Sequence, residues 1–211
     1  GKQPADLDQV FVQMKLSVVS PEKAQEIVPN ISRYANRQNA VNDADFFSNH
    51  PFHVMMEKAS RKVIAPQTEE NTHPTRWYYE RARGQYQDFR AQTSPGASRK
   101  EFDKMWPRKQ VFTKTDMAKF CNVWRGIPDV VSKGAQKNFA EFAEYIGAAW
   151  DKQEHDFNER YFREVIAKAI VFRTVERLVS QQIWYEGGYR ANIVAYAIAR
   201  FATAVESEKK K

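Results

Sequence analysis

The segment Asn158–Gln182, NERYFREVIAKAIVFRTVERLVSQQ, decides the fold class because it is the longest stretch of the chain with a helical apolar pattern. Its apolar residues recur three and four positions apart, the spacing that places side chains on one face of an α-helix. The expected inner face consists of Tyr161, Phe162, Val165, Ile166, Ala169, Ile170, Val175 and Leu178. We therefore predict a long amphipathic helix whose apolar face covers the core.

The same spacing continues on both sides of this segment. Thr115 can cap a helix that runs from Asp116 to about Trp124, and a second helical pattern covers 135–150. Gly187 and Gly188 predict a turn, and a last helix is expected over 191–205. The second half of the chain is therefore expected to be helical almost throughout.

Strand patterns occur earlier in the chain. Val10–Val19 alternates between apolar and polar residues and predicts a half-buried strand, which is followed by a helix that begins at Pro21 and is kinked at Pro29. Trp77–Arg90 predicts a strand that runs into a turn. We expect every strand to lie before about residue 92.

A Pro-, Gly- and Ser-containing stretch, QTSPGAS at 92–98, is the candidate boundary between two structural halves. The predicted fold is mainly α, with a small α/β part over residues 1–92 and a helical domain over residues 93–211.

Positive charge is concentrated in one part of the chain. The formal net charge is +7, and residues 99–137 contain ten Lys and Arg residues against four Asp and Glu residues, a local excess of +6. Such a segment either attracts nucleic acid or another acidic partner, or is only a solvated face. DNA or RNA is therefore a candidate partner.

The cysteine count and the hydropathy pattern predict a compartment. Cys121 is the only cysteine, so no internal disulfide can form, and the sequence begins with no secretory leader pattern. No stretch approaches the ~20 apolar residues of a membrane-spanning helix. We expect a cytoplasmic protein without a membrane segment, and the oligomeric state is left open.

The run Asn36-Arg37-Gln38-Asn39 is the first candidate binding site, because it lies between the end of one expected helix and the start of the next. Free N–H groups at a helix start and a guanidinium group can together hold the phosphates of a nucleotide or of DNA. The alternative is that the asparagines only cap helices and turn the chain. A nucleotide is thus a candidate cofactor, which the residues do not identify.

The second candidate is WYYERARGQY at 77–86, in which aromatic residues stand beside Arg81 and Arg83. Strand alternation would point both arginines to one side, where they could bind a phosphate and the aromatics could stack a base. We predict that they lie beside Asn36, Arg37 and Gln38 and form one anion pocket with them. The alternative is that the arginines pair with Glu80 or with carboxylates on helices.

The third candidate has a layout similar to a helix-turn-helix, with short capped helices around 112–120 and 131–139. Its predicted nucleic-acid contacts are Lys114, Lys119, Lys133, Gln136 and Lys137, and Asn138 is a further residue of the same type. The connection between the helices is longer than the usual three or four residues. A solvated basic face is the alternative.

The rest of the sequence offers few residues for metal binding or catalysis. His50 and His53 are three residues apart, but a zinc site needs three or four ligands, so we predict no metal. The sequence has no Gly-rich phosphate loop, no nucleophile elbow and no paired carboxylates in an apolar setting. The residues therefore leave open whether the protein is an enzyme.

Four runs resemble the abortive-infection phage resistance (AIPR) family. They are SRYANRQNAVNDADF at 32–46, RWYYERARGQY at 76–86, VFTKTDMAKF at 111–120 and VSKGAQKNF at 131–139. The resemblance covers about residues 10–145 and implies a role in phage defence. Members usually carry an Asn-Gly-Gly-Gln-Thr-like motif before the strand, and this sequence lacks it. The resemblance therefore implies a C-terminal portion of a longer protein.

A second resemblance is to ParB-type partition proteins, whose Asn-x-Gln-Arg box at a helix end binds nucleotide phosphates. Asn36-Arg37-Gln38-Asn39 matches this box in part, since the basic residue precedes the glutamine.

Three functions follow as hypotheses from these residues and resemblances. The first is a phage-defence protein that binds a phosphate-bearing ligand, a nucleotide or nucleic acid. The second is a protein-interaction module that binds other defence-system proteins. The third is part of an enzyme acting on nucleotides or nucleic acid, completed by an N-terminal segment that this sequence lacks.

Overall fold

The computed structural model describes residues 14, 16, 18–24, 27, 47–66, 73–93 and 96–209. The chain divides into two compact units, Gly1–Ala40 and Val41–Lys211. The boundary predicted between residues 92 and 93 falls inside the second unit.

In the first unit, the described residues carry part of the predicted helix. Residues 21–24 and 27 are helical, and the Lys23 N–H donates to the Ser20 carbonyl over 3.1 Å. The strand predicted over 10–19 is absent at its described positions, where Met14, Leu16 and Val18 are extensively exposed and lie outside any helix or strand. An alternating pattern cannot by itself supply the neighbouring strand that a sheet requires. The rest of that segment, and the kink at Pro29, lie outside the described residues.

The second unit is mainly helical in its described part. Helix α1 is Pro51–Lys62, α2 is Gln85–Gln92, α3 is Ala97–Met105 and α4 is Lys114–Trp124. The short α5 is Asp129–Ser132, followed by α6 (Ala135–Gln153), α7 (Glu159–Ser180) and α8 (Arg190–Lys209). Short 3-10 turns cover Phe47–Asn49, Arg108–Gln110 and Glu154–Asp156.

Two three-residue strands, β1 (Tyr78–Glu80) and β2 (Val111–Thr113), form a parallel sheet in which Tyr79 lies opposite Phe112. The prediction that every strand precedes residue 92 is therefore wrong. The conformation of a strand this short depends more on the strand it pairs with than on its own residue pattern. The three residues of β2 show no alternating pattern, so the sequence did not predict this strand. The strand predicted within 77–90 is confirmed only at Tyr78–Glu80 and the turn at 81–84, because residues 85–90 belong to α2, which begins after Gly84, whose φ is 82°. A positive φ of this size favours glycine because it has no Cβ.

Helix α4 packs against α6, α7 and α8. Large aromatic side chains fill the main core between these helices and also join α1 and β2 to it; the fully buried ones include Phe52, Phe112, Phe120, Phe139, Phe142, Phe162 and Phe172. This main core contains residues from both sides of the stretch 92–98.

Helix α7 confirms the helix predicted from Asn158, whose side-chain Oδ1 accepts from the Arg160 N–H over 2.8 Å and caps it. Its buried face is partly different from the predicted one. Ile170 and Leu178 are 37% and 49% exposed, whereas Phe172 and Val179 are buried. The helical period was read correctly, but the width of the buried face depends on which neighbouring helices cover it.

Candidate functional site

Helix α1 presents His53 and Glu57 toward β1 and the turn that follows it. Pro51 occupies the first helical position, and the His50 Nδ1 accepts from the Phe52 N–H over 3.3 Å. His53 and Glu57 are four residues apart and therefore lie on one face of the helix. This face meets β1 and the turn after it.

Arg81 links three segments of the fold. Its Nε donates to the Glu57 Oε2 over 2.6 Å, and its Nη1 donates to the Ser48 carbonyl and to the Asn49 Oδ1, each over 3.0 Å. The Gln85 side chain completes the arrangement, because its Nε2 donates to Glu57 and its Oε1 accepts from the Arg81 N–H over 3.1 Å. We call Ser48, Asn49, Glu57, Arg81 and Gln85 the Arg81 network. It fixes the guanidinium in one orientation.

A buried basic group lies beside this network. His53 and Tyr79 have no exposed surface, and the His53 Nδ1 is hydrogen-bonded to the Tyr79 hydroxyl. Burial, and then the positive charges of His50, Lys114 and Arg81, lower the pKa of His53 to about 3. Its Nε2 is buried and has no hydrogen-bond partner in the described part of the chain. His53 is therefore neutral at physiological pH.

Sequence alternation predicted that Arg81 and Arg83 lie on a strand, but neither residue does. Strand β1 ends at Glu80, and both arginines belong to the turn that precedes α2. Arg81 is held by Glu57, whereas Arg83 is exposed and forms no ion pair with a described residue. The run Asn36, Arg37, Gln38 and Asn39 lies outside the described residues, so the common pocket stays a prediction.

The predicted nucleic-acid lysines have very different environments. Lys114 is only 6% exposed, and its Nζ donates to the Ser48 Oγ, so it cannot reach a polymer on the surface. Lys119 pairs with Asp116 at 3.2 Å, and Lys133 pairs with Asp129 at 3.0 Å.

The remaining residues of the helix-turn-helix prediction lie at the start of α6. Gln136 and Lys137 are exposed in its first turn. Asn138 is buried, and both its carbonyl and its Oδ1 accept from the Asn122 Nδ2, at 2.9 and 3.0 Å. Asn138 therefore joins α6 to α4 and is not available to read bases. The sequence analysis grouped Asn138 with residues that could contact nucleic acid, but it could not show that the side chain is buried.

The two histidines are already engaged. The His50 Nδ1 caps α1 and the His53 Nδ1 contacts Tyr79. Across the residues that the structure describes, no group of three or more His, Cys, Asp or Glu side chains could hold a metal ion.

Comparison with known protein families matches residues 1–210 to the family model described as AIPR protein. The match includes every residue of the Arg81 network. The chain belongs to the AIPR family. This membership indicates a role in phage defence by abortive infection. No curated protein and no solved structure is significantly similar to the chain.

The AIPR match extends the resemblance found in the sequence, which covered about residues 10–145, to almost the whole chain. Three of the four AIPR-like runs fall on the described part: 76–86 forms β1 and the following turn, 111–120 forms β2 and most of α4, and 131–139 leads into α6. The comparisons give no support to the ParB-like resemblance.

The sequence did not reveal most of the Arg81 network. Ser48, Asn49, Glu57 and Gln85 belong to three separate segments that only the tertiary structure brings together. Of its members, the sequence singled out only Arg81. Among the residues that the structure describes for this AIPR chain, every helix is too short or too polar to span a lipid bilayer.

Proposed function

We propose that this AIPR-family chain acts in phage defence in the cytoplasm by binding a phosphate-bearing ligand, a nucleotide or nucleic acid, at the turn that contains Arg81 and Arg83. The observation that carries the proposal is the fixed guanidinium of Arg81. Its Nε and Nη1 are held by the Arg81 network, while its Nη2 makes no hydrogen bond with any residue that the structure describes. Arg83, two residues later, is exposed.

A fixed guanidinium favours phosphate binding for two reasons. Its planar donors match the geometry of phosphate oxygens, and little side-chain entropy is lost on binding because the contacts to Glu57 and Asn49 already order it. Glu57 opposes an incoming anion, but the same carboxylate also faces Arg61 at 3.6 Å. The combined charge of Glu57, Arg61 and Arg81 is therefore positive.

Arg83 provides the sharpest test because its removal should not disturb the fold. We expect nucleoside triphosphates to raise the melting temperature of the wild-type chain and Arg83→Glu to weaken that binding at least about tenfold, through loss of one charge-assisted contact. Isothermal titration with ATP and GTP measures the affinity, and thermal unfolding without ligand checks the fold.

Arg163→Glu is the matched control, because Arg163 is an exposed arginine on α7 and its replacement changes the charge equally. It should leave nucleotide affinity unchanged. Absence of any nucleotide effect on the wild-type chain, or equal weakening by both variants, would overturn the proposal. The sequence prediction for Asn36, Arg37, Gln38 and Asn39 can be tested separately by replacing them with alanine in the same assay.

A further inference from the structure

Helix α8 is mostly apolar on both of its faces. Among residues 191–205, Arg200 is the single charged residue. The inner face, which includes Val194, Ala195 and Ile198, is buried, and α8 packs against α4, α5 and α7. A helix that is apolar all round is typically covered on every side, whereas a solvated face carries charged and polar residues. The composition of α8 therefore indicates that its outer face contacts another surface.

The outer face of α8 exposes aromatic rings together with small side chains. Tyr196 is 49% exposed and Phe201 is 58% exposed. The Phe201 ring packs edge-on against Trp124 at a centroid distance of 6.4 Å, so the fold supports it. Ala197 and Ala204 are exposed on the same helix. Exposed apolar residues that adjoin one another mark an interaction surface, and small side chains let a second helix come close.

Helix α7, which packs against α8, has a different surface. Its exposed positions include Arg160, Arg163, Glu164 and Arg177. These side chains give α7 the charged, solvated face that α8 lacks. Of the two helices, α8 is therefore the one whose outer face fits a contact with another macromolecule.

One row along the outer face of α8 carries a charge of each sign. Arg200, Ala204 and Glu208 follow one another at four-residue intervals, so they lie in one row of the helix surface, and all three are exposed. Neither charge forms an ion pair with a described residue. Eight residues of helix separate the two charges by about 12 Å along the axis, which is too far for a direct ion pair within one chain. The two charges thus lie at equal distances from Ala204.

We propose that the outer face of α8 binds the same face of a second copy of this chain, with the two helices antiparallel and crossing at Ala204. A two-fold axis beside Ala204, perpendicular to both helices, places Arg200 of each copy opposite Glu208 of the other. The small side chain of Ala204 permits close approach at the crossing point.

Charge complementarity favours this occupant and this orientation. The row supplies both halves of the two ion pairs, so a second copy satisfies it without a partner of different chemistry. A parallel pair of α8 helices would place Arg200 beside Arg200 and replace attraction by repulsion. The proposal involves neither Arg81 nor Arg83, so it does not depend on nucleotide binding at their turn.

The size of the contact predicts a weak dimer. One pair of helices buries less surface than the ~800 Å² per partner of a standard interface. We therefore expect a dissociation constant on the order of 10–100 µM at low salt. Sedimentation equilibrium of the full 211-residue chain at concentrations from about 5 to 500 µM covers this range.

A charge exchange tests the proposed pairing. Arg200→Glu and Glu208→Arg should each weaken the dimer at least about tenfold, because each variant turns both ion pairs into like-charge contacts. The double variant Arg200→Glu/Glu208→Arg should restore the wild-type dissociation constant. Arg163→Glu on α7 is the matched control, since it makes the same charge change at another exposed arginine, and it should dimerise like the wild-type chain.

Disulfide cross-linking tests the antiparallel register. Ala204→Cys should form a disulfide between copies under mild oxidation, because the two-fold axis brings its Cα atoms within the ~4.4–6.8 Å that a disulfide spans. Ala197→Cys is the control on the same exposed face. Its two copies would lie about 21 Å apart along the helix axes and should not cross-link. Cys121 is buried and is the same in both variants.

Four results would overturn the proposal: a wild-type chain that is monomeric throughout the concentration range, a double variant that stays as weak as the single ones, equal weakening by Arg163→Glu, or equal cross-linking by Ala197→Cys. A monomer that bound vesicles of phosphatidylcholine would identify a lipid surface as the occupant of the face. Circular dichroism of each variant confirms that it is folded.

Discussion

His53 illustrates how burial sets the chemistry of a single residue. Its imidazole is fully buried beside Tyr79, and positive charges of Lys114 and Arg81 lie close enough to disfavour a further proton. A neutral ring can hydrogen-bond to Tyr79 in this setting without the cost of burying an ion. The side chain therefore acts as a hydrogen-bonding core residue at neutral pH.

The lowered pKa of His53 predicts a pH-dependent stability. Between pH 6.5 and about 3 the unfolded chain binds a proton that the folded chain does not, so stability is present above pH 6.5 and is lost as the pH falls. From pH 7 to pH 5 this group should remove about 2 kcal/mol from the free energy of unfolding. Urea unfolding at both pH values should show this loss in the wild-type chain and a much smaller one in His53→Gln.

His155→Gln is the control for that experiment, because His155 is an exposed histidine in the 3-10 turn after α6. It should keep the wild-type pH dependence. If His53→Gln retained the full loss between pH 7 and pH 5, His53 would not be the group that titrates on unfolding.

Helix α4 shows how one element is positioned by its cap. The sequence predicted Thr115 as the cap, but the helix begins at Lys114 and Thr113 caps it in a capping box with Asp116. The Thr113 Oγ1 accepts from the Asp116 N–H over 3.2 Å, and the Asp116 Oδ2 accepts from the Thr113 N–H over 3.1 Å. Because Thr113 also ends β2, the cap joins the sheet directly to the central helix. This direct junction moves Lys114 into the interior.

The capping box gives a prediction at this scale. Thr113→Val keeps the shape of the side chain but removes the acceptor for the Asp116 N–H, so it should destabilise the protein by about 1 kcal/mol. Thr115→Val removes a hydroxyl whose one hydrogen bond to a described residue is to the Thr113 side chain, at 2.9 Å, and should cost less. Urea midpoints of the two variants provide the measurement, and a larger loss for Thr115→Val would restore the cap predicted from the sequence.

At the scale of the whole molecule, the second unit depends on contacts that cross the stretch 92–98. β1 pairs with β2, and Phe52, Met56 and Tyr79 lie in the same core as the aromatic residues of α4, α6 and α7. Burying each such side chain contributes on the order of 2 kcal/mol. A helical domain that began at residue 93 would lose this packing and would expose the core.

These contacts predict how fragments behave. A fragment of residues 41–211 should unfold in one cooperative transition with a mainly helical circular dichroism spectrum. A fragment of residues 93–211 should show no cooperative transition, because it lacks α1 and β1. Urea unfolding followed at 222 nm compares the two. Similar midpoints for both fragments would support the domain boundary predicted at residue 92.

The sequence by itself determined the fold class, the AIPR resemblance and the positions of the long helices. α6, α7 and α8 were predicted because their apolar residues follow the helical period over many turns, and Asn158 supplied a local cap. Such signals are local: the chain needs no distant partner to display them. The sequence also gives the excess of positive charge in residues 99–137, because charged residues can be counted without a structure.

Only the tertiary structure decided which charged residues form ion pairs or hydrogen bonds. Arg81 pairs with Glu57, 24 residues away, and Lys114 contacts Ser48, 66 residues away, so no spacing rule could connect them. The pairing of β1 with β2 was hidden for the same reason, since a three-residue strand carries too little pattern to name its partner. Local periodicity fixes an element, but burial and charge pairing depend on which elements meet, and that is a property of the packed fold.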